Sequence, residues 1–278
     1  MKKLGLFFSA LVLSFPLCAL YQGNPSLPEI IDEGFFLPDD LFMGIKVGYQ
    51  RDQIFNRNLK TNRTGSHHIS ESKQLYDQGV LTLNFMDRVE LFGSFGAMAI
   101  EISDKQYTKD GMSKVPYQVE IHSHNQFTWG VGLRADIIDW CNTTLGANAS
   151  YQYARPHTRW NALQGATVQN FAKLRWSEWQ VGIALSHHID IFTPYIGMSY
   201  SNVSARVRKT NSEAFFLTVP SEPAPLAGFV PPGFKMQSRN HFGMALGCDL
   251  SNGKLFDLGV EVRVISEQAL TLKGDVKF

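Results

Sequence analysis

From Met43 to the last residue the chain repeatedly alternates apolar and polar side chains with a period of two, the signature of a strand with two different faces. Met43, Ile45, Val47 and Tyr49 alternate with Gly44, Lys46, Gly48 and Gln50. Leu81, Leu83 and Phe85 stand against Val80, Thr82 and Asn84, and a turn at Asp87 and Arg88 leads into Val89, Leu91, Gly93 and Phe95, opposed by Glu90, Phe92 and Ser94. Phe127, Trp129, Val131, Leu133 and Ala135 alternate with Thr128, Gly130, Gly132, Arg134 and Asp136, and Leu145, Ala147, Ala149 and Tyr151 with Gly146, Asn148 and Ser150. The pattern blurs until Trp179, Val181, Ile183 and Leu185, and a run from Tyr195 to about Val207 shows no clear register. Phe242, Met244, Leu246 and Cys248 make the next strand, and Leu258, Val260, Val262 and Val264 the one after. In the last strand Leu270, Leu272, Val276 and the terminal Phe278 oppose Thr271, Lys273, Asp275 and Lys277, the profile of the closing, assembly-signal strand of an outer-membrane barrel.

The runs number ten, and their connections fall into two classes. Those at 87–88, 137–142, 188–193 and 251–254 are short; those at 57–73, 103–123, 156–172 and 208–235 are long and polar, the last carrying Pro220, Pro223, Pro225, Pro231 and Pro232. Only the reversal near Glu267 is short on the long side. Segregation of this kind belongs to barrels with both ends on the periplasmic side. The expectation is an all-β fold, a transmembrane antiparallel β-barrel of at least ten strands, an even number between 10 and 16, over residues 41–278. Further strands, if present, belong in 103–123 or 156–172.

Ahead of the barrel, Lys2 and Lys3 precede an apolar run from Leu4 to Leu17, too short to span a bilayer as a helix, so 1–19 reads as a signal peptide cleaved after Ala19. Residues 20–40, with Pro25, Pro28 and Pro38, read as an irregular lead-in. Removing the leader with Lys2 and Lys3 takes the 26 basic residues below the 25 acidic ones, which leaves no field for nucleic acid. No later segment has about 18 consecutive apolar residues, so a helical membrane protein is excluded.

The face opposite the large apolar residues is rich in Gly, Ala, Ser, Asn and Gln, which suits a wet lumen better than a bulk-water surface. Lys46, Glu90, Arg134, Asp136, Glu261, Arg263, Lys273 and Asp275 are the pore-lining candidates; they either set ion selectivity or pair across strands and brace the wall. Tyr49, Tyr76, Trp129, Tyr151, Tyr153, Trp179 and Tyr200 near strand ends are candidates for interfacial girdles. Cys141 and Cys248, the two thiols outside the leader, allow one disulfide, a cross-link to a partner, or free thiols. His67 with His68, His122 with His124, and His187 with His188 lack cysteine or carboxylate at ligand spacing, so no metal site is assigned. No nucleophile elbow, phosphate-binding loop or catalytic carboxylate pair is present, so neither enzyme activity nor a cofactor is expected.

The segments LNFMDRVELFGSFGA (83–97), TTLGANASYQYA (143–154), EWQVGIALSHHIDIFTPYIGMSYS (178–201), KMQSRNHFGMALG (235–247) and VEVRVISEQALTLKGDVKF (260–278) resemble the chlamydial major outer membrane porin family, as does IKVGYQRDQIFNRNLK (45–60). The resemblance implies a surface-exposed porin of the bacterial cell outer membrane, commonly trimeric, passing small hydrophilic solutes and ions. Its partners would be outer-membrane lipid, lipopolysaccharide and the barrel-assembly machinery. A non-conducting structural or surface-interaction barrel is the alternative. The chain is short and cysteine-poor for that family, which places the family's disulfide cross-linking in doubt; ten strands also leave an interior that side chains can fill.

Overall fold

The structure, a computed structural model, describes residues 20–28, 43–61, 69, 71–110, 113–163, 167–208, 235–252 and 255–278, with backbone only at 104–119, 160–172 and 208. Residues 1–19, read from sequence as a leader, most of 20–40 and the proline-rich stretch at 209–234 lie outside the described residues. In chain order the strands are β1 (Met43–Arg57), β2 (Leu59–Thr61), β3 (Glu71–Phe85), β4 (Val89–Asp110), β5 (Ser113–Ser123), β6 (Gln126–Trp140) and β7 (Thr143–Ala154). They continue with β8 (His157–Leu163), β9 (Thr167–His187), β10 (Phe192–Arg208), β11 (Lys235–Ser238), β12 (Phe242–Ser251), β13 (Phe256–Val264) and β14 (Glu267–Lys277).

Ten of these close a ring in the order β1, β3, β4, β6, β7, β9, β10, β12, β13, β14, every neighbour antiparallel. The seam is the β1–β14 pair, running from Lys46 beside Lys277 to Arg57 beside Glu267, with a register shift between Ile54 and Asn56. In hydrocarbon an unpaired backbone group costs several kcal/mol, so a sheet with an apolar exterior has to close on itself.

The connections at 103–123 and 156–172, long and polar in sequence and named as the places for further strands, are strand over nearly all of their described residues. β4 pairs with β6 up to Met98 and with β5 from Glu101 onward, while β9 pairs with β8 and then with β7. Thus β5 runs into β6 and β7 into β8 across short breaks, and the two hairpins lengthen existing wall strands without adding to the ring. The short reversal between β13 and β14 has a complementary consequence: beyond it, β2 pairs directly with β11, closing the wall over that hairpin.

Along the turn-side half, Val47, Leu81, Leu91, Val131, Val181, Ile196, Leu246, Val260 and Leu272 are exposed outward, and Lys46, Thr82, Glu90, Arg134, Gln180 and Thr271 are buried inward. An apolar exterior on a closed sheet is the lipid-facing arrangement. In the opposite half the two sets exchange. On β9 the inward residues are Leu174 and Trp176, then Glu178 and Gln180; the outward ones are Lys173 and Arg175, then Trp179 and Val181. β10 changes in the same way, from inward Ser199 and Ser201 to inward Val203, Ala205 and Val207. Ile54, Leu59, Met98, Ile100, Ile102 and Ile121 complete an apolar cluster that fills this end of the barrel. Where water replaces lipid outside the wall, burial drives the apolar set inward.

The turn-side reversals are tight. Only Cys141 and Asn142 separate β6 from β7, and Cys141 has φ 55°, a left-handed backbone that L side chains resist. Cys141→Gly is expected to stabilise the barrel by about 1 kcal/mol, read as a higher urea midpoint of the folded protein in vesicles; a lower midpoint would reveal a contact made by the thiol.

Candidate lumen and the segment inside it

Residues 20–28 lie within the ring, with Leu20 through Pro28 buried. An extended stretch enters between the walls and turns at Asn24, where Leu27 N donates to Asn24 O (3.3 Å) and Ser26 N to Asn24 Oδ1 (3.0 Å). Glu261 of β13 receives the backbone amides of Gln22 (3.0 Å) and Gly23 (2.9 Å) on its two carboxylate oxygens. Gln22 Nε2 donates to Ile183 O (2.6 Å) and Met198 O (3.3 Å), and Asn148 Nδ2 donates to Gln22 O (2.6 Å). At the far end Lys46 Nζ donates to Leu27 O (2.5 Å) and Asn84 Nδ2 to Pro28 O (2.8 Å). The small inward residues of the wall make the seat. A Cβ on Gly197 would stand 2.5 Å from Gln22 Cδ, and one on Gly146 2.6 Å from Pro25 Cβ. The Gly- and Ser-rich inner face that suggested a wet lumen therefore accommodates the chain's own segment. A cavity of about 30 Å³ remains beside Tyr21, Asp52, Tyr76 and Ser94, about enough for one water.

All eight pore-lining candidates are buried on the inner face, in two layers. Nearer the turns, Glu90 accepts from Lys46 (2.8 Å) and from Arg134 (2.6 Å), and Lys273 pairs with Asp275 while facing the Tyr21 ring at 5.8 Å. Asp136 is buried on this level too.

Farther along the bore, Arg263 donates to Asp52 (2.5 Å), Glu261 (3.1 Å), Glu267 (2.6 Å) and the Thr271 hydroxyl (2.6 Å). Arg57 bonds Glu178 at 2.5 Å and Glu267 through Nε at 2.7 Å. These two guanidiniums face four carboxylates, all buried, and the amides of Gln22 and Gly23 add positive dipoles at Glu261.

Four members of this second layer were missed from sequence. Asp52 continues the parity of Lys46 and was legible by extension; Glu178 likewise shares a face with Gln180. Arg57 follows the register shift at Ile54, which breaks parity, and Glu267 lies at the reversal.

The remaining candidates sort by face. Leu270, Leu272, Val276 and Phe278 all take the outward parity of β14, with Leu272 and Val276 exposed. Trp129 packs against Tyr151 (5.9 Å) and Tyr153 (5.8 Å), and Trp179 against Tyr200 (5.6 Å), all on the exterior. Tyr76 departs from the girdle expectation: it is buried inside and donates to Gln74, because β3 puts its even-numbered residues inward. Cys141 and Cys248 are both free thiols; β7, β9 and β10 separate their strands in the ring, so the two do not meet. His188 bonds Thr193, His241 bonds Ser201 O, and His122 stands 3.4 Å from Glu120, while His67 and His68 lie outside the described residues. No metal-ligating cluster occurs among the described residues.

A family model described as the Chlamydia major outer membrane protein matches residues 160–212, which contain all of β9 and β10. The chain is 25% identical over 393 aligned residues to the major outer membrane porin, serovar D, of Chlamydia trachomatis, and 24% to the serovar E protein, covering all of both chains each time. Among solved structures, the translocator domain of the autotransporter NalP from Neisseria meningitidis superposes with a TM-score of 0.44 at 11% identity, over 84% of this chain and 88% of that one. The resemblance read from the sequence segments thus extends over the whole chain, and the protein is a multi-pass β-barrel of the outer membrane.

Proposed function

We propose that this chain, a relative of the chlamydial major outer membrane porins, is a gated outer-membrane porin that passes small hydrophilic solutes and ions when its inner segment leaves the lumen and the apolar cluster beyond it gives way. The observation that carries this reading is how Leu20–Pro28 is held: by side chains and by carbonyls of the wall. Its departure leaves the strand pairs of the ring intact. Behind it lies a wall of charged and polar side chains along the lipid-spanning half. The ion pairs there brace that wall in the closed state. Nothing in this reading calls for a catalyst.

In planar bilayers the refolded chain is expected to rest closed, with brief, weakly ion-selective steps. Gln22→Ala with Asn24→Ala removes donors to Ile183 O, Met198 O and Thr193 O. At about 1 kcal/mol per hydrogen bond, the open fraction should rise at least about tenfold.

The alternative is a non-conducting structural barrel of the cell envelope. It is favoured by the apolar cluster around Trp176 and Ile100, which fills the bore beyond the charged layer and is independent of the inner segment. Silence from both wild type and variant, each verified as a folded, heat-modifiable barrel, would decide for that reading and against the gated porin.

A further inference from the structure

One strip of the outer wall carries cations that no acidic side chain balances among the described residues. Beyond Trp179 and Tyr200 the outward positions are Lys173 and Arg175 on β9, Ser204 and Arg206 on β10, and Lys235 and Gln237 on β11. Register places Arg206 directly beside Arg175 on one side and Lys235 on the other, so three cations stand in a row across three strands. Lys60 on β2, paired with Gln237, extends the row toward the seam. Like charges at facing positions of an antiparallel pair repel. Outward cations on β1 and β3 are treated differently: Arg51 has Asp77 at 3.6 Å and Lys73 has Glu71 at 2.7 Å. Along the strip the described outward side chains include no carboxylate. A wall that gathers unbalanced cations in register is built to share an external anion.

We infer that this strip binds the phosphate groups of the phosphorylated glycolipid of the outer leaflet. Height on the wall selects that occupant. Trp179 and Arg175 point outward on one strand four residues apart, about 13 Å along the strand and roughly 10 Å in height at the usual tilt. Aromatic girdles mark the headgroup boundary, so the cations stand where phosphates attached to the sugar backbone lie. Tyr153 joins the two levels: the guanidinium of Arg175 lies 5.5 Å from its ring centroid and that of Arg155 at 5.3 Å. Guanidiniums pair with phosphate oxygens in two-point contacts, and a phosphate between Arg175, Arg206 and Lys235 would turn their mutual repulsion into attraction. The acyl chains of the same molecule would lie along Val181, Ile183, Ile196 and Met198, which are exposed below.

The test uses the full chain refolded in detergent, with bound lipid per barrel counted by native mass spectrometry against bisphosphorylated and dephosphorylated lipid A. Wild type is expected to hold the bisphosphorylated form at least about tenfold more tightly. The triple variant R175Q/R206Q/K235Q should lose that advantage, while R51Q/K73Q, whose cations have acidic partners, should keep it. Lipid A should also raise the thermal midpoint of wild type and not of the triple variant. Without lipid the triple variant should be at least as stable as wild type, because repulsion has been removed. R206Q alone carries the same comparison if the triple variant folds poorly. Equal binding of dephosphorylated lipid by wild type, or undiminished binding by a folded triple variant or by folded R206Q, would overturn the inference. Displacement of bound lipid A by millimolar inorganic phosphate or by heparin would overturn it as well, reassigning the strip to soluble anions.

Discussion

Arg263→Met is expected to destabilise the folded barrel by about 3–5 kcal/mol, the cost of leaving buried charge without its partner. Arg263 is fully buried and serves Asp52, Glu261, Glu267 and Thr271 together, so its removal strips the central cation from three carboxylates at once. Arg57 remains, but its bonds go to Glu178 and Glu267, and Asp52 and Glu261 keep only neutral donors, the Thr271 and Tyr195 hydroxyls and the amides of Gln22 and Gly23. Lysine at 263 restores the charge without the planar fork that reaches several acceptors, so Arg263→Lys should recover only part of the loss. Urea unfolding of the protein in lipid vesicles, followed by tryptophan fluorescence, measures both. A methionine variant within about 1 kcal/mol of wild type, inside the range of ordinary surface substitutions, would show that the charged layer does not brace the ring. The same substitution should loosen the inner segment, because Arg263 helps hold the Glu261 carboxylate that receives the amides of Gln22 and Gly23.

Trp176→Ala is expected to cost about 3–5 kcal/mol, as for other large-to-small core changes at an aromatic residue, with its effect confined to one end of the molecule. The ring is fully buried in the apolar cluster, and the Arg57 guanidinium stands 5.8 Å from its centroid. Hydrogen exchange resolves the outcome by position. Amides of the apolar end, around Ile100–Ile102 and Ile121 on the β4–β5 hairpin and Val203–Val207 on β10, should lose protection, while those of the lipid-spanning half, around Val181–Leu185 and Val260–Val262, should keep it. Uniform loss along β9 and β10 would show that the two halves unfold as one unit, and that the apolar end is no separate cap.

The order of the wall strands, the tight turns and the lipid-facing set were legible wherever a strand lay wholly within one environment. β13 and β14 show this best: Leu258, Val260, Val262, Leu272 and Val276 alternate strictly, and all face outward. Legibility failed where a strand leaves the lipid. On β9 the inward parity holds from Leu174 to Ser186, but the residues that take it change from apolar to polar at Glu178. A reading that equates apolar with outward therefore loses the strand at that crossing, and the same change between Ser201 and Val203 blurred the register of β10. The segments 103–123 and 156–172 read as long connections because their sequence is polar and shows no sustained alternation. Tyr76 was placed outside because an aromatic near a strand end fits a girdle equally well by residue type, and only parity on β3 puts it inside.

By itself the sequence determined that the chain forms two-faced strands, joined by short turns on one side, whose apolar set needs lipid and whose ends need to pair. Local alternation and the cost of unpaired backbone in hydrocarbon suffice for that. What occupies the inside was decided only by tertiary structure. Contacts such as Glu261 with Gln22, or Arg57 with Glu178, join residues far apart in the chain, and cross-strand register around a closed ring sets which charges meet. A period-two pattern states which side of its strand each side chain takes, but not whether that side holds water, another strand's charge, or the chain's own N-terminal segment.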